Sequence, residues 1–141
     1  MKPHKGESLM FENLDVFRMA QAMAVHAGQS QAVAAQNVAN SDTPGYLARS
    51  VTPFEQTFTD ANGEGGFPGL RSTRERHLHG AAAGQMPEPA VDDTGPESPN
   101  GNTVSLENEM LKSLDAKRQH DRALAIYKSS MMILRATLSR S

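Results

Sequence analysis

Two long segments without proline, one near each end of the chain, constrain the fold more than any other feature of this sequence. The first covers about residues 8–40 and contains one internal glycine, Gly28. The second covers about residues 105–140 and contains neither glycine nor proline. Both are rich in strong helix formers, and acidic residues follow the candidate N-caps Ser8 and Ser105 within one turn. We therefore predict two long terminal helices.

The middle of the chain has a different composition. Residues 54–102 hold eight of the 11 glycines and five of the eight prolines, which interrupts any long helix or central strand. The predicted fold is mainly α, with two long terminal helices pairing as an elongated coiled-coil-like hairpin, joined by an irregular Gly/Pro-rich middle with at most a short β element. We expect one structural domain in three parts, residues 1–46, 47–104 and 105–141.

Apolar side chains form stripes along both predicted helices. Near the chain end, Ala123, Ile126 and Ile133 widen the apolar arc beyond what one partner helix would cover. Helices of about 33 and 36 residues would be roughly 50 and 54 Å long, whereas a compact globule of this length is roughly 37 Å across. We therefore expect a rod-shaped subunit that buries its remaining stripes against other chains. The predicted assembly seam comprises Leu14, Phe17, Leu124, Tyr127, Met131, Leu134 and Leu138.

The most specific local feature is the point where the first helix must stop. Pro44 keeps Thr43 out of the helical conformation, and Pro44 with Gly45 fits the central positions of a type II turn. Asn40 can adopt the left-handed backbone conformation that often ends a helix. These signals together predict a fixed direction in which the chain leaves the helix. The motif residues are Asn37, Val38, Ala39, Asn40, Thr43, Pro44, Gly45 and Tyr46.

This motif resembles the signature of the bacterial flagellar basal-body rod protein family. Residues 70–78 and 100–110 extend the resemblance, which touches most of the chain. The insert between the two terminal helices is small, as in the short proximal-rod members, whereas distal-rod and hook relatives carry a larger outer domain there. The resemblance thus points to the proximal rod.

The resemblance implies a structural subunit of the proximal rod, which polymerises through its terminal helices into the drive shaft that transmits torque across the periplasm and surrounds the export channel. Residues 1–46 and 105–141 would form the rod core. The implied partners are other copies of the chain, other proximal-rod proteins, the rod-to-export-gate adaptor, the membrane ring and the flagellar type III export apparatus. The implied location is the periplasm-spanning rod of the flagellar basal body.

Composition argues against several other classes of protein. The chain has no cysteine, and hence no disulfide framework and no thiolate site. Its 14 Lys and Arg against 16 Asp and Glu give no basic field for nucleic acid. The apolar run at residues 9–11 is too short for a signal sequence or a membrane span, so we expect export without a cleavable Sec signal.

No catalytic, cofactor-binding or metal-ligating constellation stands out. His77 and His79 could form a metal pair, but no third ligand has suitable spacing. The acidic residues at 92–93 and 107–109 are typical of a solvated loop and a helix start, and the arginines within 71–76 lack a Gly-rich phosphate loop. We expect no enzyme activity, no cofactor and no small-molecule substrate. A soluble helical adaptor or secretion chaperone of a type III export system is the alternative.

Overall fold

The computed structural model describes the backbone of residues 5–57, 89–92 and 95–139, and the side chains of the same ranges from residue 15 onward. Its elements in chain order are helix α1 at Lys5–Ala39, strand β1 at Arg49–Ser50, strand β2 at Ala90–Val91 and helix α2 at Leu106–Leu138. The two strands pair antiparallel. The prediction of a mainly α fold with two long terminal helices and a short β element is confirmed.

Of the two predicted N-cap residues, Ser8 and Ser105, only Ser105 lies at the start of a helix. Helix α1 begins at Lys5, so Ser8 lies inside it and the N-cap prediction for Ser8 was wrong. No proline separates Lys5 from Ser8, so nothing forces the helix to start later. Ser105 is the N-cap of α2, with φ −104° and ψ 113°, but its side chain makes no capping hydrogen bond. The extended backbone of Ser105 therefore marks this helix start without a side-chain cap.

The two helices pack antiparallel along rows of small residues. Phe17 contacts Tyr127 near one end of the pair, and Gln31 bonds to Ser113 closer to the other. Small buried residues on each side recur every seven positions, with Glu109 at one end of the α2 row, which keeps one face of each helix toward its partner. The rows are Ala20, Ala27 and Ala34 on α1, and Glu109, Ala116, Ala123 and Ser130 on α2.

The large apolar side chains of α2 mostly lie outside these rows of small residues. Met110 and Leu138 are 71% and 70% exposed, and Leu124 and Tyr127 are also exposed. Their spacing places them along one flank of the helix pair. We call this flank the open face, which comprises Phe17 and Val38 of α1 and Leu106, Met110, Leu124, Tyr127, Met131, Leu134 and Leu138 of α2.

The opposite flank of α1 is covered by the chain that follows β1. The Nε2 atom of His26 lies 2.7 Å from the carbonyl oxygen of Thr52, and the His26 ring contacts Phe54 edge to face at 5.6 Å. The described part of the hairpin therefore has one flank covered by its own backbone and one flank bare. Neither helix, over its described residues, carries an apolar stretch suited to crossing a membrane.

Candidate functional site

The helix-stop motif forms the turn that its sequence predicts. The Tyr46 amide donates to the carbonyl oxygen of Thr43 at 3.3 Å, and Gly45 has a φ of 70°. Both features are those of a type II turn with Pro44 and Gly45 at its centre. A Cβ at Gly45 would meet no atom within 4 Å, so the positive φ, and not a lack of space, calls for glycine here.

Asn37 joins this turn to the rest of the fold from a position that is 0% exposed. Its side-chain nitrogen donates to the Arg49 carbonyl oxygen at 2.7 Å and to Glu109 Oε2 at 3.0 Å. Its side-chain oxygen accepts from the Arg49 amide at 3.0 Å and from the Tyr46 hydroxyl at 3.2 Å. All four hydrogen-bonding positions of the amide are therefore used, which removes the penalty for burying it.

Glu109 lies across the helix interface from Asn37 and is 2% exposed. Its Oε1 atom accepts from Lys112 Nζ at 3.0 Å, and the same Nζ lies 3.1 Å from Asp92 Oδ2. Burial opposes the charge on Lys112, but the hydrogen bonds and charges of Glu109 and Asp92 outweigh that effect and raise the pKa of Lys112 above its usual value. The buried carboxylate of Glu109 is thus compensated from both sides.

A second buried amide, Asn102, fixes the turn from the other direction. Its side-chain nitrogen donates to the carbonyl oxygens of Asn40 and Thr43 at 2.9 and 2.8 Å, and its side-chain oxygen accepts from the Val104 amide at 2.8 Å. Because Asn40 directly follows α1, the first of these bonds satisfies a carbonyl group at the helix end, and the second holds the turn through Thr43. We call residues 37–49 together with 100–112 the junction.

Backbone contacts complete the junction. The Gly45 amide donates to the Asn100 carbonyl oxygen at 3.0 Å, and the Thr103 amide donates to the Tyr46 carbonyl oxygen at 3.1 Å. Gly101 has a φ of 79°, and a Cβ there would lie 3.4 Å from the Gly45 Cα. The two glycines therefore let the two loop backbones approach each other closely.

The structure brings together two of the segments that carry the resemblance, residues 37–46 and 100–110, although more than 50 residues separate them in sequence. The third segment, residues 70–78, lies outside the described residues. Within the helix-stop motif, Asn37 is buried and Tyr46 is half-buried, whereas Val38 and Ala39 are exposed. Neither Asn102 nor Lys112 is among the site residues predicted from the sequence. The prediction for Glu109, a charge preference of the helix start, misses the burial of this carboxylate. The signal was present, since Glu109 begins a seven-residue row of otherwise small residues.

The predicted assembly seam is only partly brought together within one chain. Phe17 and Tyr127 meet edge to face with ring centroids 5.2 Å apart and an interplanar angle of 72°. Met131 and Leu134 are half-buried, whereas Leu124 and Leu138 are exposed. Leu14 lies on α1, with its side chain outside the described residues. Apart from the contact of Phe17 with Tyr127, the described members of this set therefore lie on the open face, outside the rows of small residues between the two helices.

A groove of about 620 Å³ lies between α1, α2 and the chain after β1, beside His26 and Ser30. Both ring nitrogens of His26 have partners, the Thr52 carbonyl oxygen at 2.7 Å and the Gln119 side-chain amide at 3.1 Å. With both nitrogens engaged, the His26 ring is held in place by hydrogen bonds within the fold.

The remaining candidates for chemistry fall outside the described chain. His77, His79, Asp93 and the arginines within 71–76 lie in ranges that the structure does not describe. Over the ranges it does describe, the side chains form no group of three or more potential ligands that could hold a metal ion. The site that the structure defines is therefore the junction with its adjoining open face.

The Lys112 interactions give a testable pH dependence. The pKa of Lys112 is raised above 10.5, so its contribution to stability is complete at lower pH and is lost as pH rises through the folded-state pKa. We expect Lys112→Met to lower the free energy of unfolding by about 1 kcal/mol at pH 8, since the lysine is partly exposed. The difference from the parent protein should shrink above pH 10.5, as measured by urea denaturation. An equal change for Lys128→Met, or a constant difference at all pH values, would contradict this account.

Comparison with curated proteins places this architecture in a known group. No protein-family model matches the chain. The chain is 33% identical to the flagellar basal body rod protein FlgB of Aeromonas hydrophila over 78% of this chain and 81% of the relative. It is 28% identical to FlgB of Agrobacterium fabrum, over 90% of this chain and 95% of the relative. It is 29% identical to FlgB of Salmonella typhimurium, over 86% and 92% respectively.

The match covers between 81% and 95% of the length of each relative. None of them is named as an adaptor or a chaperone, so the alternative raised by the sequence has no support among them. The chain belongs to the flagellar basal body rod protein FlgB family.

Proposed function

We propose that this chain is a structural subunit of the flagellar basal-body rod. The observation that carries the proposal is the similarity to FlgB over most of the chain and most of each relative. The geometry supports a structural role, because the buried polar groups of the junction hold helices and loops to one another. The function of such a subunit is assembly, without a catalytic step.

Within the rod, we place the chain in the proximal segment, where it polymerises through α1 and α2. These helices have 35 and 33 residues and are about 52 and 50 Å long. Residues 1–46 and 105–141 form the rod core in this proposal, and residues 47–104 form the middle. Close-packed helices that contact neighbours in an open helical lattice resist twisting, so such a lattice transmits torque across the periplasm.

The open face is the surface that neighbouring subunits cover in this proposal. Large apolar side chains follow one flank of α2 from Leu106 to Leu138 and are mostly exposed in the single chain. Exposed apolar patches of this extent mark interaction surfaces in soluble proteins. The neighbours are other copies of the chain and other proximal-rod proteins, with the rod-to-export-gate adaptor and membrane ring at the base. The subunit reaches this location through the flagellar type III export apparatus without a cleavable Sec signal.

Deleting the gene and imaging the cell envelope by electron cryotomography tests the proposal. We expect membrane rings without a rod, and restoration of the rod by the intact gene. Rods that form normally without the gene would contradict the proposal. Rod loss that the intact gene does not restore would contradict it too, since another lesion would then be responsible.

A charge on the open face tests how the subunits meet. We expect Leu134→Asp to reduce incorporation into purified basal bodies by more than about tenfold, because the carboxylate would be buried among apolar side chains in the assembled rod. The measurement is an immunoblot of basal bodies, normalised to the amount of the protein in whole cells. Ala125→Asp is the matched control, since residue 125 is exposed and points away from the open face. Incorporation of Leu134→Asp at the level of both the parent protein and Ala125→Asp would show that the open face is not covered.

A further inference from the structure

We infer that the buried pair of Asn37 and Glu109 sets the register of the α1–α2 hairpin. These two residues decide which side chains of the two helices stand opposite each other. The inference concerns the folding of the chain itself and does not depend on its proposed place in the rod. It assigns a role to Asn37, the first residue of the helix-stop motif. It also assigns a role to the Glu109 carboxylate, for which the sequence predicted only a charge preference of the helix start.

The small residues of the helix interface define the register weakly. Ala20, Ala27 and Ala34 recur every seven residues on α1, and Ala116, Ala123 and Ser130 recur every seven residues on α2. A shift of one helix by seven residues, about 10.5 Å, again places small side chains opposite small side chains. Packing within these rows therefore discriminates little between the observed register and its neighbours.

The polar pair removes this ambiguity. In the observed register, the Asn37 amide lies 3.0 Å from the Glu109 carboxylate. A seven-residue shift in one direction would place Asn37 opposite Ala116 and move Glu109 past the end of α1. A shift in the other direction would place Glu109 opposite Ser30 and leave Asn37 beyond the start of α2. Each shift separates the pair, and a buried polar group without its partner is strongly disfavoured.

The surroundings of the pair strengthen this preference. Asn37 is also bonded to Tyr46 and to the Arg49 backbone, and Glu109 is also bonded to Lys112. These bonds hold both groups in the orientation in which they meet in the observed register. One polar position in an otherwise apolar coiled-coil interface is a known means of fixing register at some cost in stability.

The register has a consequence for the open face. In the observed register, Phe17 and Tyr127 meet edge to face. A seven-residue shift would move Tyr127 by about 10.5 Å along α1 and separate the two rings. The alignment of the large apolar side chains on the open face therefore depends on two buried polar residues.

Cysteine cross-linking measures the register directly, because the chain has no cysteine of its own. Gln31→Cys with Ser113→Cys reports the observed register, in which these two side chains are hydrogen-bonded at 2.8 Å. Gln31→Cys with His120→Cys, and Gln31→Cys with Leu106→Cys, report the two shifted registers. A thiol cross-linker shorter than about 10.5 Å separates the three cases. In the otherwise unchanged full chain, we expect the 31–113 product to exceed each shifted product by roughly 100-fold.

Substitution of Glu109 then tests its role. We expect Glu109→Ala, which extends the row of small residues, to lower that preference below about tenfold. Glu109→Leu, which keeps a large side chain, should do the same, whereas Glu109→Gln retains an acceptor for Asn37 and should keep the preference. All variants are compared at a temperature at which circular dichroism shows the helix content of the parent. Ala20→Gly weakens the helix away from the pair and should keep the 31–113 product dominant.

Two results would overturn the inference. One is an unchanged preference for the 31–113 product in Glu109→Ala and Glu109→Leu, since the loops would then hold the register. The other is an equal loss of preference in Ala20→Gly, since any weakening of the helices would then suffice.

Discussion

We expect Asn37→Leu to lower the free energy of unfolding by about 3–5 kcal/mol, because several buried polar groups would lose a hydrogen-bond partner at a cost of about 1–3 kcal/mol each. The leucine leaves the Glu109 carboxylate without its amide donor. It also leaves the Tyr46 hydroxyl and both backbone groups of Arg49 without the partners they have in the native fold. Because single domains are stable by about 5–15 kcal/mol, such a change brings the protein close to unfolding at 25 °C. Urea denaturation followed by the helical circular dichroism signal measures the effect.

Gln36→Leu is the matched control for this variant. Residue 36 precedes Asn37 on the same helix, is exposed, and undergoes the same change from an amide to a leucine side chain. We expect a change within about 0.5 kcal/mol, as for most exposed positions. Similar destabilisation by both variants would show that the helix end tolerates no leucine, and the hydrogen bonds of Asn37 would lose their special role.

The second large effect is expected at the turn. Gly45→Val places a β-branched residue at a φ of 70°, where the side chain crowds its own backbone, and should lower the free energy of unfolding by about 2 kcal/mol. No neighbouring atom lies within 4 Å of the new Cβ, so the loss arises from backbone strain. In cells, we expect fewer rods in tomograms and reduced motility, because the turn sets the direction in which the chain leaves α1.

Gly28→Ala separates backbone strain from the loss of a glycine as such. Gly28 lies within α1 and a Cβ there also meets no atom within 4 Å, but its φ is not in the positive range. We expect this variant to raise the free energy of unfolding by about 0.5–1 kcal/mol, since alanine favours the helix. Destabilisation of the isolated chain by Gly28→Ala, or normal stability and rod assembly with Gly45→Val, would contradict the account of the turn.

The junction links local sequence to mechanical behaviour. It ties the end of α1, the turn, β1 and the first turns of α2 together through three buried polar side chains, Asn37, Asn102 and Glu109. Fully bonded polar networks rigidify the structure around them, because any displacement leaves a buried group without a partner. A subunit whose two helices are fixed at this end suits a rod that carries torque.

The sequence predicted the fold class for clear physical reasons. Long segments without proline favour helices, and the Gly/Pro-rich middle cannot continue them, so both terminal helices were predictable to within a few residues. The turn at Pro44 and Gly45 was equally predictable, because few other conformations fit that pair. The start of α1 was misplaced, since a favourable N-cap residue such as Ser8 can also lie inside a helix.

The faces of the helices were harder to predict. Large apolar residues such as Leu124 and Leu138 suggest a seam, and in the single chain they lie on the open face. The two helices instead pack through alanines, because small side chains let the backbones approach closely while the large ones remain at the flank. The interface could be recognised only by following the seven-residue spacing through Ala116 and Ala123, which large neighbours obscure.

The sequence by itself determined the helices, the turn and the resemblance to a rod family, because propensity, backbone restriction and motif spacing are properties of neighbouring residues. Only the tertiary structure decided that Asn37 meets Glu109 and that Asn102 holds the turn, because those partners are separated by some 60 to 70 residues. A polar residue near a helix end is suited to solvent as well as to a buried bond. Which of the two it adopts depends on the groups that the rest of the chain brings against it.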